Sequence, residues 1–176
     1  MWEHYYQPTS LVDALELLHT HGQQARIVAG GTDVLVELSR RVRPTRTLID
    51  ITHIPELKYI RSDNGMLYLG ALTSANDVIA APDCVTMALP LAQACWELGA
   101  PQLRTRATIA GNLVTASPAN DTIAALMALK AELVLLSTSG ERIVPLNAFY
   151  PAFRKTVICP DELLREIRFP ALRENQ

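Results

Sequence analysis

Val28-Ala29-Gly30-Gly31-Thr32-Asp33 and Thr108-Ile109-Ala110-Gly111-Asn112 are the two stretches that decide how this chain folds. Each follows or includes an apolar, strand-like run, and each leads into a segment able to start a helix. Glycine admits φ > 0 and lets backbone N–H groups come close to a ligand. Aligned N–H groups at a helix start attract anions, phosphate above all. The second loop is followed by Ala116-Ser117-Pro118 and then Asp121. Two such loops on one small chain point to a ligand long enough to touch both.

Working outward, the first loop sits in a short βαβ pattern. Ser10 is a helix cap, and Leu11, Ala14, Leu15 and Leu18 fall on one face of the helix it starts. Asp13, three residues on, makes a weak capping box, and Gly22 is the stop. Residues 26–29 read as a short buried strand and residues 33–40 as a helix with Val34, Leu35 and Leu38 facing inward. Residues 47–51 read as a second strand. Residues 1–55 are thus expected to form a small α/β lobe, with a seam near 52–58.

Beyond the seam the pattern changes. Asn64-Gly65 between residues 57–61 and 66–71 is the strongest hairpin signal in the chain. Helices are expected over 74–81, 90–98 and 122–129, and strands over 133–137, 142–146 and 163–169. Residues 56–176 therefore read as a larger α+β lobe, and the whole chain as α+β.

Composition narrows the function. The chain has 176 residues, 49% of them hydrophobic, enough to bury a core without staples. A net charge of −2 gives no electrostatic case for nucleic acid or an anionic membrane. No apolar run reaches the ~18 residues of a membrane span. The opening Met1-Trp2-Glu3-His4-Tyr5 is polar and aromatic and does not look like a signal peptide, so none is expected. Cys84, Cys95 and Cys159 form no C-x-x-C pair, so reduced thiols in a cytoplasmic protein are expected.

Simpler readings stand beside these. Gly30-Gly31 could be a plain strand-to-helix turn: it is neither G-x-G-x-x-G nor a P-loop with Lys-Ser/Thr. Asp33 and Asp121 could be helix caps, Asn112 an αL turn, and Arg104 and Arg106 ordinary exposed arginines. His19 and His21 point to different sides of a helix, and no histidine has ligand-like neighbours. The pairing of the two loops favours a ligand over these alternatives.

Several stretches carry a family resemblance: Ala29-Gly30-Gly31-Thr32-Asp33, Leu69-Gly70-Ala71, Arg106 through Asn112, Ala116-Ser117-Pro118 with Asp121, and Phe149-Tyr150-Pro151 through Arg154-Lys155-Thr156. Over residues 2–170 the sequence resembles the FAD-binding subunit of the molybdenum hydroxylases, the group of xanthine and carbon monoxide dehydrogenases. Family members usually continue into a further C-terminal domain, whereas this sequence stops at Gln176.

The resemblance implies a two-lobed FAD-binding fold of the p-cresol methylhydroxylase type, with extended FAD between the lobes. It implies that Ala29, Gly30, Gly31, Thr32 and Asp33 hold the pyrophosphate through backbone N–H groups. Thr108, Ile109, Gly111 and Asn112 would close on the pyrophosphate and ribityl region. Asp121 would accept ribityl hydroxyls, Leu98 and Leu164 would pack on cofactor rings, and Lys155 would approach the flavin.

The implied partners are a 2Fe-2S subunit and a molybdopterin subunit, with NAD+ or oxygen as final acceptor. The chain itself has no cysteine set for a cluster. Its implied role is an oxidoreductase subunit that passes electrons through FAD and is inactive on substrate alone. A free-standing FAD-dependent reductase or oxidase and a non-catalytic FAD-binding module are the other classes the residues admit.

Overall fold

The computed structural model describes residues 2–43 and 45–172. The chain opens with β1 (His4–Tyr6), α1 (Leu11–His21), β2 (Ala25–Val28), α2 (Val34–Ser39) and β3 (Thr47–Asp50). The three strands form a parallel sheet in the order β1-β3-β2. All four residues of the central β3 are buried, as a parallel strand covered on both faces requires.

Helix α1 forms as its sequence dictates. The Ser10 hydroxyl accepts the Asp13 N–H at 3.1 Å. Gly22, at φ +47°, ends the helix and donates to the Leu18 carbonyl. Ala14, Leu15 and Leu18 are the buried face, so the 3.6-residue apolar period decides which side meets the sheet.

The second sheet is antiparallel. It contains β4 (Ile60–Asp63), β5 (Met66–Gly70), β6 (Glu132–Ser137), β7 (Gly140–Pro145) and β8 (Leu163–Pro170), in the order β4-β5-β8-β6-β7. Asn64 and Gly65 both take positive φ (49° and 74°), the pair of left-handed residues a two-residue hairpin needs. Between β5 and β6 run six helices: α3 (Ala75–Ala80), α4 (Pro82–Met87), α5 (Leu89–Glu97), α6 (Pro101–Arg104), α7 (Ile109–Thr115) and α8 (Asp121–Ala128). A short α9 (Leu146–Phe149) follows β7.

One continuous apolar core joins the two sheets. Leu15, Leu18, Ile49 and Ile51 from the first part belong to the same cluster as Leu113, Leu133, Leu135, Leu163 and Ile167. At ~25 cal/mol per Å² of apolar area removed from water, this burial is the main term holding the parts together. Around Glu166, which is buried on β8, polar groups are satisfied rather than excluded. The Tyr59 hydroxyl donates to its carboxylate at 2.6 Å and Arg61 lies at 3.4 Å. Burial first, and the hydrogen bond to Glu166 second, push the Tyr59 phenol far above its ordinary pKa.

Two local expectations fail for physical reasons. Strand β1 was not expected: its three residues are all exposed, so it carries no apolar alternation and is fixed by backbone pairing to β3. Helix α2 does not turn Val34, Leu35 and Leu38 into the core. It has no buried residue, and Leu35 is 61% exposed. The helix lies along a cleft instead of on the sheet face.

Candidate functional site

The site begins where β2 ends. The Ile51 N–H donates to the Val28 carbonyl at 3.0 Å, and the chain then turns into α2. Coiling starts before the helix proper: the Leu35 N–H reaches the Gly31 carbonyl at 3.1 Å, and the Glu37 N–H reaches that of Asp33 at 2.9 Å. Gly31 makes this turn at φ +77°. The N–H groups of Gly30, Gly31, Thr32, Asp33 and Val34 find no acceptor among the described residues. Asp33 holds the N-cap position of α2, but its side chain makes no capping hydrogen bond.

The second loop is built as a capped helix start. The Thr108 hydroxyl accepts the Gly111 N–H at 3.1 Å, and the Thr108 carbonyl accepts the Asn112 N–H at 3.0 Å. The loop is clipped to the chain before α3: Ala75 donates to the Ala107 carbonyl at 3.0 Å and Ile109 donates to the Thr73 carbonyl at 2.9 Å. Asn112 is helical, not an αL turn. Its side-chain oxygen accepts the Thr122 hydroxyl, and its carbonyl accepts the Asn120 amide at 2.6 Å. The carboxamide nitrogen of Asn112 donates to none of the described residues.

The two loops touch. A Cβ on Gly30 would lie 1.9 Å from the Arg106 carbonyl oxygen, so glycine is required there by the second loop's backbone. The Thr115 hydroxyl lies 3.5 Å from the Asp33 carboxylate across the same junction. A cleft of about 430 Å³ opens on one side of the contact. A smaller hollow of about 270 Å³, bordered by Lys58 and Arg106, opens on the other.

The larger cleft brings together Ala29, Gly30, Gly31, Thr32, Asp33, Thr108, Gly111, Asn112 and Leu164. Four other residues singled out by sequence lie away from its walls. The Ile109 side chain is fully buried beneath α7, and Leu98 is buried at the end of α5. Lys155 is exposed, in a turn where it bridges Ala152. Asp121 is the exposed first residue of α8. Asn120 holds the cap position there, without a side-chain capping bond.

The cleft also has walls that the sequence did not announce. Arg26 on β2 and Glu37 on α2 face it as a hydrogen-bonded ion pair. Eleven residues separate them, a spacing with no local rule behind it. Cys159 and Glu162 line the cleft from the segment before β8. Arg142 grips Glu162 through two bonds, 2.6 and 2.8 Å, and the Cys159 N–H adds a third at 2.7 Å. The Arg142 bonds hold the Glu162 carboxyl below the usual carboxylate range.

This donor set suits a pyrophosphate. Successive free N–H groups at a helix start are donors available to an anion, and the positive end of the helix adds to them. No group of three metal-ligating side chains occurs among the described residues. None of the described helices is long and apolar enough to cross a membrane.

Two glycine loops meeting over a cleft, one of them presenting a run of free N–H groups, define a domain that holds a dinucleotide cofactor. Residues 2–172 match the family described as the FAD binding domain in molybdopterin dehydrogenase, and the chain belongs to that family. It is 37% identical over 171 residues to the carbon monoxide dehydrogenase medium chain of Hydrogenophaga pseudoflava, covering 97% of this chain and 59% of that one. It is 33% identical to the nicotinate dehydrogenase FAD-subunit of Eubacterium barkeri, covering 93% and 56%.

A solved carbon monoxide dehydrogenase from Hydrogenophaga pseudoflava, lacking the Mo-pyranopterin moiety of its molybdenum cofactor, superposes with a TM-score of 0.95 at 34% identity. The match covers 99% of this chain and 61% of that one. It bears out the two-lobed α+β FAD-binding fold expected from the sequence. The chain spans less than two thirds of the length of the relatives it matches.

Proposed function

We propose that this chain is the FAD-carrying electron-transfer part of a molybdenum hydroxylase. It takes electrons from a 2Fe-2S subunit, which a molybdopterin subunit supplies in turn, and delivers them to NAD+ or oxygen. The observation that carries this reading is the run of unpartnered N–H groups from Gly30 to Val34. Bound FAD supplies the redox chemistry, and the chain supplies position and electrostatics.

In this reading Gly31, Thr32 and Asp33 bind the pyrophosphate through their N–H groups, and Ala29 and Gly30 shape the approach. Thr108 and Gly111 hold the start of α7 against it, with Ile109 anchoring that turn in the core. The free carboxamide nitrogen of Asn112 donates to the cofactor. Asp121 takes ribityl hydroxyls, Leu98 and Leu164 flank the rings, and Lys155 lies beside the flavin. The two lobes, residues 1–55 and 56–176, clamp the cofactor between them. The setting is the cytoplasm, in keeping with three free thiols.

The test is a purified chain reconstituted with FAD and mixed anaerobically with a reduced 2Fe-2S partner subunit. Bleaching of the flavin band near ~450 nm at a rate that scales with partner concentration supports the reading. Flavin that stays oxidised with the partner but is reduced directly by NADH overturns it in favour of a free-standing reductase.

A further inference from the structure

The ion pair on the cleft wall has more to it than stability. Arg26 projects from β2, its side chain only 12% exposed, and one guanidinium nitrogen is committed to Glu37. Its Nη1 is buried without a partner among the described residues. Glu37 is one-third exposed (34%) and uses Oε2 for this contact. Oε1 accepts no hydrogen bond from any described residue and belongs to a residue that lines the cleft. An exposed carboxylate on a flexible side chain ordinarily loses rotamer entropy for little return. Here a nearly buried arginine fixes that carboxylate in place at the edge of a cavity.

Position says what the free oxygen meets. Glu37 is one turn, about 6 Å, along α2 from Asp33, where the free N–H groups collect the pyrophosphate. A sugar attached to that phosphate reaches this far. Dinucleotide sites accept ribose hydroxyls on a fixed carboxylate that comes from ~20 residues further along the chain; here a carboxylate is held on the phosphate-side helix itself, by its ion pair with Arg26. FAD carries two polyols, the adenosine ribose and the ribityl chain, on opposite sides of its pyrophosphate. Ile27, Ile158 and Leu164 line the same cleft as Glu37 and offer apolar surface to a purine; the reading above gives the ribityl hydroxyls to Asp121, which leaves the adenosine ribose for Glu37. Asp121 lies away from the cleft, at the start of α8.

We propose that Glu37 is the residue that reads the adenosine ribose, accepting its hydroxyls through Oε1, with Arg26 as the positioning residue that holds the carboxylate. The proposal rests on the FAD reading above. It predicts selectivity for an unmodified ribose: removing the hydroxyls takes away the bond, and a 2′-phosphate brings a second anion against the carboxylate.

The experiment compares FAD with its 2′,3′-dideoxyadenosine analogue, with affinity read by flavin fluorescence. Both ligands are titrated into the wild-type chain, Glu37→Ala and Glu37→Gln, with folding of each variant checked by circular dichroism. The wild type should prefer FAD by roughly tenfold to hundredfold, the worth of a hydrogen bond to a charged group. Glu37→Ala should bind both ligands about equally, and Arg26→Leu should lose most of the preference.

Wild-type discrimination that persists in a folded Glu37 variant overturns the proposal. So does a wild type that binds both ligands alike while Glu37→Ala weakens both, because the carboxylate then faces another part of the cofactor. A wild-type chain that binds neither ligand overturns the FAD reading itself, and this inference falls with it.

Discussion

Gly30 and the carbonyl of Arg106 are in backbone-to-backbone contact, and there is no room for a side chain between them. The two adjacent glycines of the first loop thus have different jobs. Gly30 lets the halves of the site close on each other. Gly31 supplies a left-handed turn at φ +77°, and its nearest neighbour is only the tip of Leu35 at 3.4 Å.

Gly30→Ala should therefore cost more than Gly31→Ala before any ligand is added. Forcing a methyl into a backbone contact costs about 1–3 kcal/mol or more. The left-handed penalty at Gly31 is about 1 kcal/mol. Thermal unfolding of the two FAD-free variants checks the order. If Gly31→Ala is the more damaging, the contact at Arg106 is looser than the distance implies.

Asp121→Ala separates a structural from a ligand role. The residue is exposed, caps nothing, and can help α8 only through the helix dipole, worth about 0.3–1 kcal/mol. Stability of the FAD-free chain should barely change, while FAD affinity falls roughly tenfold. An equal loss of stability with and without FAD would assign Asp121 to the helix alone.

Acid should loosen the small sheet through Asp50. Its burial alone would raise the pKa. Hydrogen bonds from Thr52 (2.9 Å from the N–H, 2.6 Å from the hydroxyl) and Tyr5 (2.5 Å) outweigh that and hold it below the usual carboxylate range. A depressed folded-state pKa contributes stability above the unfolded value of about 4 and loses it as pH falls through the folded one. Asp50→Asn should lower the melting temperature at pH 7 and flatten its decline between pH ~5 and ~3. An unchanged acid limb would show that the carboxylate's bonds are not what acid breaks.

The thiols should sort by environment. Burial pushes Cys84 up to about 11 and Cys95 up to about 12, while Cys159 is exposed on the cleft wall. Because the thiolate is the reactive form, a disulfide reagent should modify Cys159 rapidly and the other two only on unfolding. Reconstitution with FAD should slow the Cys159 reaction. Equal rates with and without FAD would remove Cys159 from the cofactor's vicinity.

Much of this was legible in the residues, and the reasons are local. Ser10, Asn64-Gly65 and the apolar stripe of α1 act within a few positions of themselves, so short-range rules find them. The two glycine loops are legible as motifs. That they press against each other is not, since the Gly30–Arg106 contact depends on how both sheets share one core. Helix α2 misled because none of its apolar residues is buried: Val34 borders the cleft and Leu35 faces solvent. The Arg26–Glu37 pair was invisible because a strand and a helix must first be placed before the two charges can meet.

The order of strands in the larger sheet bears on how the chain comes into being. Its middle position, between β5 and β6, is held by β8, the last strand among the described residues. During synthesis, at ~5–20 residues per second, the β4–β5 hairpin emerges long before Leu163 does. Until then Leu67 and Leu69, fully buried in the finished molecule, have a strand on one side only, β4, and the β8 side stands open. The newborn chain is at its stickiest in that interval. Deleting β8 would leave two separate hairpins with open flanks and a chain that clumps.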